Sequence, residues 1–437
     1  MTRKEKNTTS FNNLGINKNI LNVLTKKGFK SPTPIQHQII PGALEGKDVV
    51  GVAQTGTGKT LAFVIPMIQN LSSGNERGLI LTPTRELALQ IEQVFRDIGG
   101  SSGLKTTVII GGIPQYKQVK SLKNNPDIII ATPGRLDDLL NQKKLTLDRI
   151  SIVTLDEADR MLDIGFLPQI KKVLKLITKK RQTMLFSATM PNSISSLASE
   201  FMRMPLRIEI APQGTAAKNV EQEVFIIEKN NKTRLLDSIL KEHKDDTVLV
   251  FSRTRHGAKR IARDVRNMGH TATEIHSDRT QSQRKSSLDG FIRGKYRVMV
   301  ATDIASRGID VKDIALVINF DLPDNSGDYV HRIGRTGRAG LFGRAVSFVT
   351  SAQKRDVKKI EKLIRKSLPI LSLPTLPPER KKPAYSDKPH RSSRRFNSKK
   401  RSYKDKKKGK GKRKGKGKGK GKGKEDRTSW SYGKRPR

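Results

Sequence analysis

The sequence predicts an α/β protein of two tandem lobes, each a mostly parallel sheet flanked by helices, followed by a disordered basic C-terminal tail. Three observations predict this. Short β-branched apolar runs alternate with longer amphipathic segments in two successive series; a Pro/Gly/Ala/Lys-containing stretch separates the series; and apolar periodicity stops near Ser372.

The first series runs Asp48 to Ala53, Gly78 to Thr82, Thr106 to Ile110, Asp127 to Ala131, Ile150 to Leu155 and Gln182 to Ser187. Runs that are apolar on both faces suit strands buried on both sides, which is the condition of a parallel sheet covered by helices. The second series runs Thr247 to Ser252, Thr271 to His276, Tyr296 to Thr302, Ile314 to Phe320 and Gly343 to Thr350. Between them lies APQGTAAKN, Ala211 to Asn219, where the hinge is placed. The chain therefore divides into a first lobe at 1–211, a linker at 212–219, a second lobe at 220–371 and a tail at 372–437. At 437 residues it is long enough for each lobe to bury its own core.

The tail is low-complexity Lys/Arg/Gly/Ser, nearly alternating Gly-Lys from Gly409 to Lys424, and no fold is assigned to it. From Glu379 to Arg437 there are 27 Lys and Arg against 5 Asp and Glu, a net +22 of the total +46. A charge of that size exceeds what solubility needs and points to a polyanionic partner, nucleic acid rather than a membrane. Phe396, Tyr403, Trp430 and Tyr432 interrupt the charges and suit base stacking, so a sequence-independent nucleic-acid tether is expected. No apolar run reaches the roughly 18 residues of a membrane span, and the opening MTRKEKNTTSFNNLG lacks a secretory apolar stretch, so an intracellular protein is expected. The absence of cysteine excludes disulfides, thiolate zinc sites and cysteine nucleophiles.

The strand ending at Ala53 runs into AQTGTGKT (Ala53, Gln54, Thr55, Gly56, Thr57, Gly58, Lys59, Thr60) and then into a helix-forming segment. Backbone N–H groups of such a loop, with a helix N-terminus behind them, cradle phosphates. Lys59 would neutralise the outer phosphates, Thr60 would ligate Mg²⁺, and Gly56 and Gly58 let the backbone approach closely. Ala53 stands where the strict pattern has Gly. The strand Ile150 to Leu155 delivers Asp156 and Glu157 to its C-terminal end, the edge where open α/β sheets bind ligands. Asp156 would hold the metal, and Glu157 would orient and deprotonate the attacking water. A nucleoside triphosphate and Mg²⁺ are the expected ligands.

Asp156-Glu157-Ala158-Asp159 resembles the box that names the DEAD-box helicases, and further signatures stand in that family's order. The resemblance spans about Phe11 to Ser367 and implies two RecA-like lobes. GFKSPTPIQ resembles the Q motif, implying that Gln36 reads adenine and Phe11 stacks on it. PTRELA (Pro83, Thr84, Arg85), Gly111-Gly112 and TPGR (Thr132, Gly134, Arg135) resemble RNA-backbone motifs, whose small, hydroxyl and Arg residues suit phosphate and sugar contacts without base readout. SAT (Ser187, Thr189) resembles the motif that couples hydrolysis to strand separation, acting with Asp159.

In the second half, VLVFSRTR (Arg253), QSQR (Gln281, Arg284), ATDIASRGID (Thr302, Asp303, Arg307, Asp310) and HRIGRTGR (His331, Arg335, Arg338) resemble the remaining set. The family implies Arg335 and Arg338 as arginine fingers, worth about 10³–10⁵ in rate in other NTPases. His331 would bridge to the DEAD segment and Asp310 would approach the ribose. Arg253, Gln281, Arg284, Thr302 and Arg307 would face RNA. FSRTRHGAKR and DLPDNSGDYVHRIGRTGRAG look most like the bacterial RhlE-type branch, which implies a cytoplasmic protein; HSD at His276 to Asp278 departs from the usual HGD.

The expected activity is ATP-dependent clamping of RNA, local unwinding of short duplexes and remodelling of ribonucleoprotein. Single-stranded RNA and short duplexes are the expected partners, with ribosomal particles or RNA-decay machinery as candidates beyond them. An ATP-gated RNA clamp or annealing factor with little net unwinding carries the same motifs, and a DNA-translocating helicase is a third reading. Oligomeric state is not legible.

Overall fold

The computed structural model describes residues 10–54, 56–71, 75–177, 180–210, 220–303, 311, 314–337 and 342–378. Thr55, Arg307, Asp310, Arg338, the expected linker 212–219 and the tail from 379 onward, including Phe396, Tyr403, Trp430 and Tyr432, lie outside the described residues.

The apolar runs of the first series become β1 (Val49–Val52), β2 (Arg77–Leu81), β3 (Thr106–Ile109), β4 (Ile128–Ala131), β5 (Ile150–Leu155) and β6 (Gln182–Ser187), joined by β7 (Leu206–Glu209). They form one sheet in the order β3-β4-β2-β5-β6-β1-β7, and every pairing is parallel. Successive strand residues face opposite sides, so Val49 and Val50 enter different cores. One core is filled from Pro34–Leu44, Lys59–Leu71 and Arg85–Gly99, the other from Pro133–Asn141, Leu167–Leu176 and Asn192–Phe201.

The second lobe opens on β8 (Val220–Ile226); the second series then becomes β9 (Val248–Phe251), β10 (Ala272–Ile275), β11 (Val298–Ala301), β12 (Leu316–Asn319) and β13 (Gly343–Val349), followed by a two-residue β14 (Ile370–Leu371). The order is β10-β11-β9-β12-β13-β8-β14, again parallel throughout. Counted from its own first strand, the second sheet repeats the order of the first. In each, the first strand lies between the last two.

Polar caps start the helices directly after the strands and so fix where the loops end. Thr84 Oγ1 accepts from Leu87 N at 3.2 Å, Thr254 Oγ1 from Gly257 N at 3.0 Å, and Thr280 Oγ1 from Gln283 N at 3.3 Å. Gln283 Oε1 returns the bond by accepting from Thr280 N at 3.0 Å. Each such cap satisfies an otherwise unpaired helix N–H, worth about 1 kcal/mol.

β7, β8 and β14 are absent from the sequence expectation. β7 is an edge strand with Leu206 partly exposed, and β14 is too short to read. Past β14 the chain stays on the second lobe: Arg234 Nε donates to Pro377 O at 2.6 Å, and Leu376 packs on the core. The sequence ends the lobe at 371; the attachment continues to Pro377, because backbone carbonyls of a polar-looking segment meet an arginine that lies distant in the chain. Among the described residues no helix is long and apolar enough to cross a membrane.

Candidate active site

Because each sheet is parallel, all strands of a lobe end at one edge, and the sequence motifs gather there. In the first lobe the phosphate-type loop follows β1, PTRE follows β2, Gly111-Gly112 follows β3, TPGR follows β4, the DEAD segment follows β5 and SAT follows β6. In the second lobe SRTR follows β9, HSD follows β10, Thr302 and Asp303 follow β11, and His331 to Arg335 lie beyond β12.

Ala53 N donates to Ser187 O at 3.0 Å, so the loop starts hydrogen-bonded to SAT. Lys59 is buried, and its Nζ donates to Ala53 O at 2.8 Å. Thr57 Oγ1 donates to Gln54 O at 2.7 Å, while Thr60 sits in the first turn of the following helix. Gly56 and Gly58 have φ of 84° and 93°. A Cβ at Gly58 would collide with the Gln36 amide, whose Nε2 donates to Gly58 O at 2.9 Å and whose Oε1 accepts from Thr33 N at 2.9 Å. Gln36 therefore ties its own helix to the loop. Phe11 is only 4% exposed and belongs to the core of the first lobe, so most of its ring is already covered by protein.

Asp156 and Glu157 follow β5 directly and are both buried. Burial pushes the Asp156 carboxyl up to about 7; nearby Lys59 opposes the shift, and the charges of Glu157 and Asp159 add to it. Glu157 takes the left-handed backbone conformation, φ 51° and ψ 51°, a sparsely populated region for a non-glycine residue. Its Oε2 is buried with no hydrogen-bond partner among the described residues. A carboxylate strained into place with a free oxygen suits holding a water. A buried carboxylate that resists ionisation is a hard oxygen donor of the kind Mg²⁺ accepts, and a cation there would favour the ionised form.

Asp159 is the junction. Its Oδ2 accepts from Ala188 N at 3.2 Å and from Thr189 N and Oγ1 at 2.9 Å each, and its own N–H donates to Ser187 Oγ at 3.3 Å. From the second lobe, His331 Nε2 stands 3.8 Å from the same oxygen. Arg335 is also buried. Beside this junction a buried ion pair joins Arg160 to Asp328 of the second lobe.

Along the same edge, Arg85 lies against Gly111 and Gly112, and a Cβ on Gly112, at φ 78°, would strike its guanidinium. The Arg85 pKa is lowered chiefly by burial and then by Arg284 and Arg135, with Glu86 opposing, so three motif arginines crowd one region. Thr84 caps the helix that carries Arg85, Thr132 precedes the helix of Gly134 and Arg135, and Pro83 is buried. Arg284 NH2 meets Glu86 Oε2 at 2.6 Å with both side chains buried, and Gln281 Nε2 donates to Glu86 Oε1 at 3.4 Å. Arg253 is instead exposed and held by Asp321 and Asp324, and Thr302 N donates to Ile275 O at 3.3 Å. Arg332 of HRIGRTGR is structural: it clamps Asp303 through two bonds of 2.6 Å, donates to Asn319 Oδ1 and Asp321 O, and stacks on Phe251 at 4.9 Å.

Glu86, Arg160 and Asp328 were missing from the sequence expectation. The first two sit inside or beside recognised motifs, but their partners lie in the other lobe, and no spacing rule connects residues so far apart in the chain.

Residues 33–197 match the DEAD/DEAH box helicase family, and residues 231–340 match the helicase conserved C-terminal domain. The chain belongs to the DEAD-box family of ATP-dependent RNA helicases. It is 40% identical over 378 residues to the ATP-dependent RNA helicase DbpA of Bacillus subtilis, covering 86% of this chain and 79% of that one. It is 42% identical over 367 residues to DEAD-box ATP-dependent RNA helicase 30 of Arabidopsis thaliana, covering 82% of this chain and 62% of that longer protein. Among solved structures, S. cerevisiae Dbp5 bound to RNA and ADP BeF3 aligns with a TM-score of 0.74 at 28% identity, covering 83% of this chain and 96% of that one. This DEAD-box chain thus shares both its sequence and its two-lobe architecture with the family.

Proposed function

We propose that the chain binds ATP at the edge of its first lobe and couples closure of the second lobe over it to gripping RNA and opening short duplexes. The observation that carries this reading is that two lobe-to-lobe links join motif residues: His331 faces Asp159 beside the nucleotide residues, and Arg284 pairs with Glu86 beside the RNA residues. One movement then serves both ligands, and each should tighten the other.

In this reading Lys59 and the loop amides hold the phosphates, Glu157 takes a proton from the attacking water, and Arg335 with Arg338 offsets charge developing on the γ-phosphate. Thr60 and Asp156 would hold Mg²⁺, which when bound supplies charge neutralisation for the phosphates. Gln36 and Phe11 select adenine, and Asp310 approaches the ribose. Asp159, Ser187, Thr189 and His331 transmit closure. RNA backbone runs past Pro83 to Arg85, Gly111, Gly112, Thr132, Gly134 and Arg135 on the first lobe and past Arg253, Gln281, Arg284, Thr302 and Arg307 on the second.

The proposed division is 1–211 and 220–371 for the lobes, 212–219 for the linker and 372–437 for the tail, whose first residues, as far as Pro377, remain packed on the second lobe. FSRTRHGAKR and DLPDNSGDYVHRIGRTGRAG support an RhlE-type branch and a cytoplasmic protein. The test is steady-state ATP hydrolysis with RNA, with DNA and with neither, for the intact chain and Glu157→Gln. RNA stimulation that disappears in the variant supports the reading. Equal stimulation by DNA, or none by RNA in a protein that binds ATP, overturns it.

A further inference from the structure

We propose that Gln118 is a positioning residue for RNA: its side-chain amide holds both ends of the Gly111-Gly112 loop and fixes the backbone that this loop presents. The proposal rests on the reading of that loop as an RNA-backbone contact.

Gln118 lies on the helix Gln115–Lys123, a basic segment whose lysines face solvent, yet Gln118 itself is only 3% exposed. Its Oε1 accepts from Ile110 N at 3.1 Å, and its Nε2 donates to Ile110 O at 3.0 Å and to Ile113 O at 3.0 Å. Ile110 follows β3 directly, and Ile113 is the first residue after the glycine pair. One amide therefore replaces the strand partner that Ile110 loses at the end of β3, and at the same time closes the loop on its far side. Among neutral side chains, only the primary amide offers an acceptor and two donors at once; Gln reaches where Asn is one carbon short.

The loop needs such an anchor. Two adjacent glycines have the largest backbone freedom to lose, and Gly112 must hold φ at 78° with Arg85 pressed against it. Without the amide, the glycine pair would sample many conformations, and ordering it would be charged to RNA binding. Gln118 touches neither nucleotide residues nor solvent, so its effect should appear in RNA affinity and not in the chemical step.

The experiment compares the full chain with Gln118→Met, Gln118→Glu and Gly112→Ala in RNA-stimulated ATP hydrolysis and in binding of a single-stranded oligonucleotide. Gln118→Met keeps the volume and removes all three bonds; the RNA concentration for half-maximal stimulation should rise about tenfold, while kcat at saturating RNA changes far less. Gln118→Glu keeps the acceptor for Ile110 N but turns a carboxylate towards two carbonyls, so its RNA affinity should recover as pH is lowered and the acid becomes a donor. Gly112→Ala tests the loop itself and should weaken RNA binding. If Gly112→Ala weakens binding and Gln118→Met does not, the positioning role is overturned while the loop's RNA contact stands. If Gly112→Ala binds RNA normally, the loop's RNA role falls, and the positioning role with it. A Gln118→Met protein that loses kcat, ATP affinity and melting temperature together would show a merely structural residue and also overturn the proposal.

Discussion

Glu86→Gln separates lobe closure from RNA contact, because Glu86 would repel a phosphate backbone yet is buried against Arg284 at 2.6 Å. With the lobes apart, both side chains would be hydrated and the pair would be worth nothing. With the lobes together, the substitution leaves Arg284 buried without a counter-charge. Breaking such a pair costs about 3–5 kcal/mol, and the lower end applies here because the amide still accepts one hydrogen bond. About 3 kcal/mol against the closed state corresponds to roughly a hundredfold. The dissociation constant of a short single-stranded RNA, measured by fluorescence anisotropy with a non-hydrolysable ATP analogue present, should rise by that factor. By reciprocity the analogue's affinity with RNA present should fall equally, whereas its affinity without RNA should hold. Adding Arg284→Gln to Glu86→Gln should cost little beyond the Arg284→Gln loss alone, since the pair acts as a unit. RNA binding that becomes tighter in Glu86→Gln would mean that the carboxylate only repels phosphate, and the closure argument would be wrong.

Asp156→Asn should raise the melting temperature in EDTA at pH 8 and leave it unchanged near pH 4. The folded-state pKa of about 7 lies above the unfolded carboxylate value, so the stability gained by protonation is complete below the unfolded pKa and lost as pH rises through 7. An equal shift at both pH values would refute this. Glu157→Gln should lower RNA-stimulated kcat by at least about a hundredfold while retaining ATP-dependent RNA binding, measured as prolonged complex lifetime; normal turnover would remove its role as base. Removing 379–437, which carries a net +22, should flatten the salt dependence of RNA binding; about eight engaged charges correspond to a log–log slope of roughly −6. The cut belongs after Pro378 and not at Ser372, because Leu376 and Pro377 still pack on the second lobe. An unchanged slope would refute the tether.

The sheets were legible because buried strands of a parallel sheet are nearly continuous apolar runs: Val49 to Val52 and Ile128 to Ala131 need no partner to be recognised. β8 was not, because Glu221 and Glu223 interrupt its apolar residues, and Glu223 is neutralised by Arg344 in a neighbouring strand. Motif residues were legible one at a time, since loops after strands carry glycines and hydroxyls with a local reason. What the local pattern hides is pairing through space: Glu86 reads as an ordinary helix acid and Arg160 as a charge after the DEAD segment. Gln118 looks like one more polar residue on a solvated helix, and its burial follows from the path of β3, which sequence periodicity does not contain. Phe11 illustrates the reverse difficulty, since an aromatic assigned to a base also fills a core.

The shared strand order has a consequence for how the protein is made. β1, which launches the phosphate loop, pairs only with β6 and β7, so Val49 must wait for Met184 and Leu206. β8 likewise waits for β13 and β14. During synthesis at about 5–20 residues per second, the first strand of each lobe stays unpaired for many seconds after it leaves the ribosome. An apolar segment such as VVGV is then exposed to other nascent chains, and no ATP site exists to stabilise it. The first strand of each lobe therefore joins its sheet only when nearly all of the lobe is present, and a nascent chain interrupted before Gln182 would carry the complete phosphate-loop sequence without the neighbouring strand that holds it.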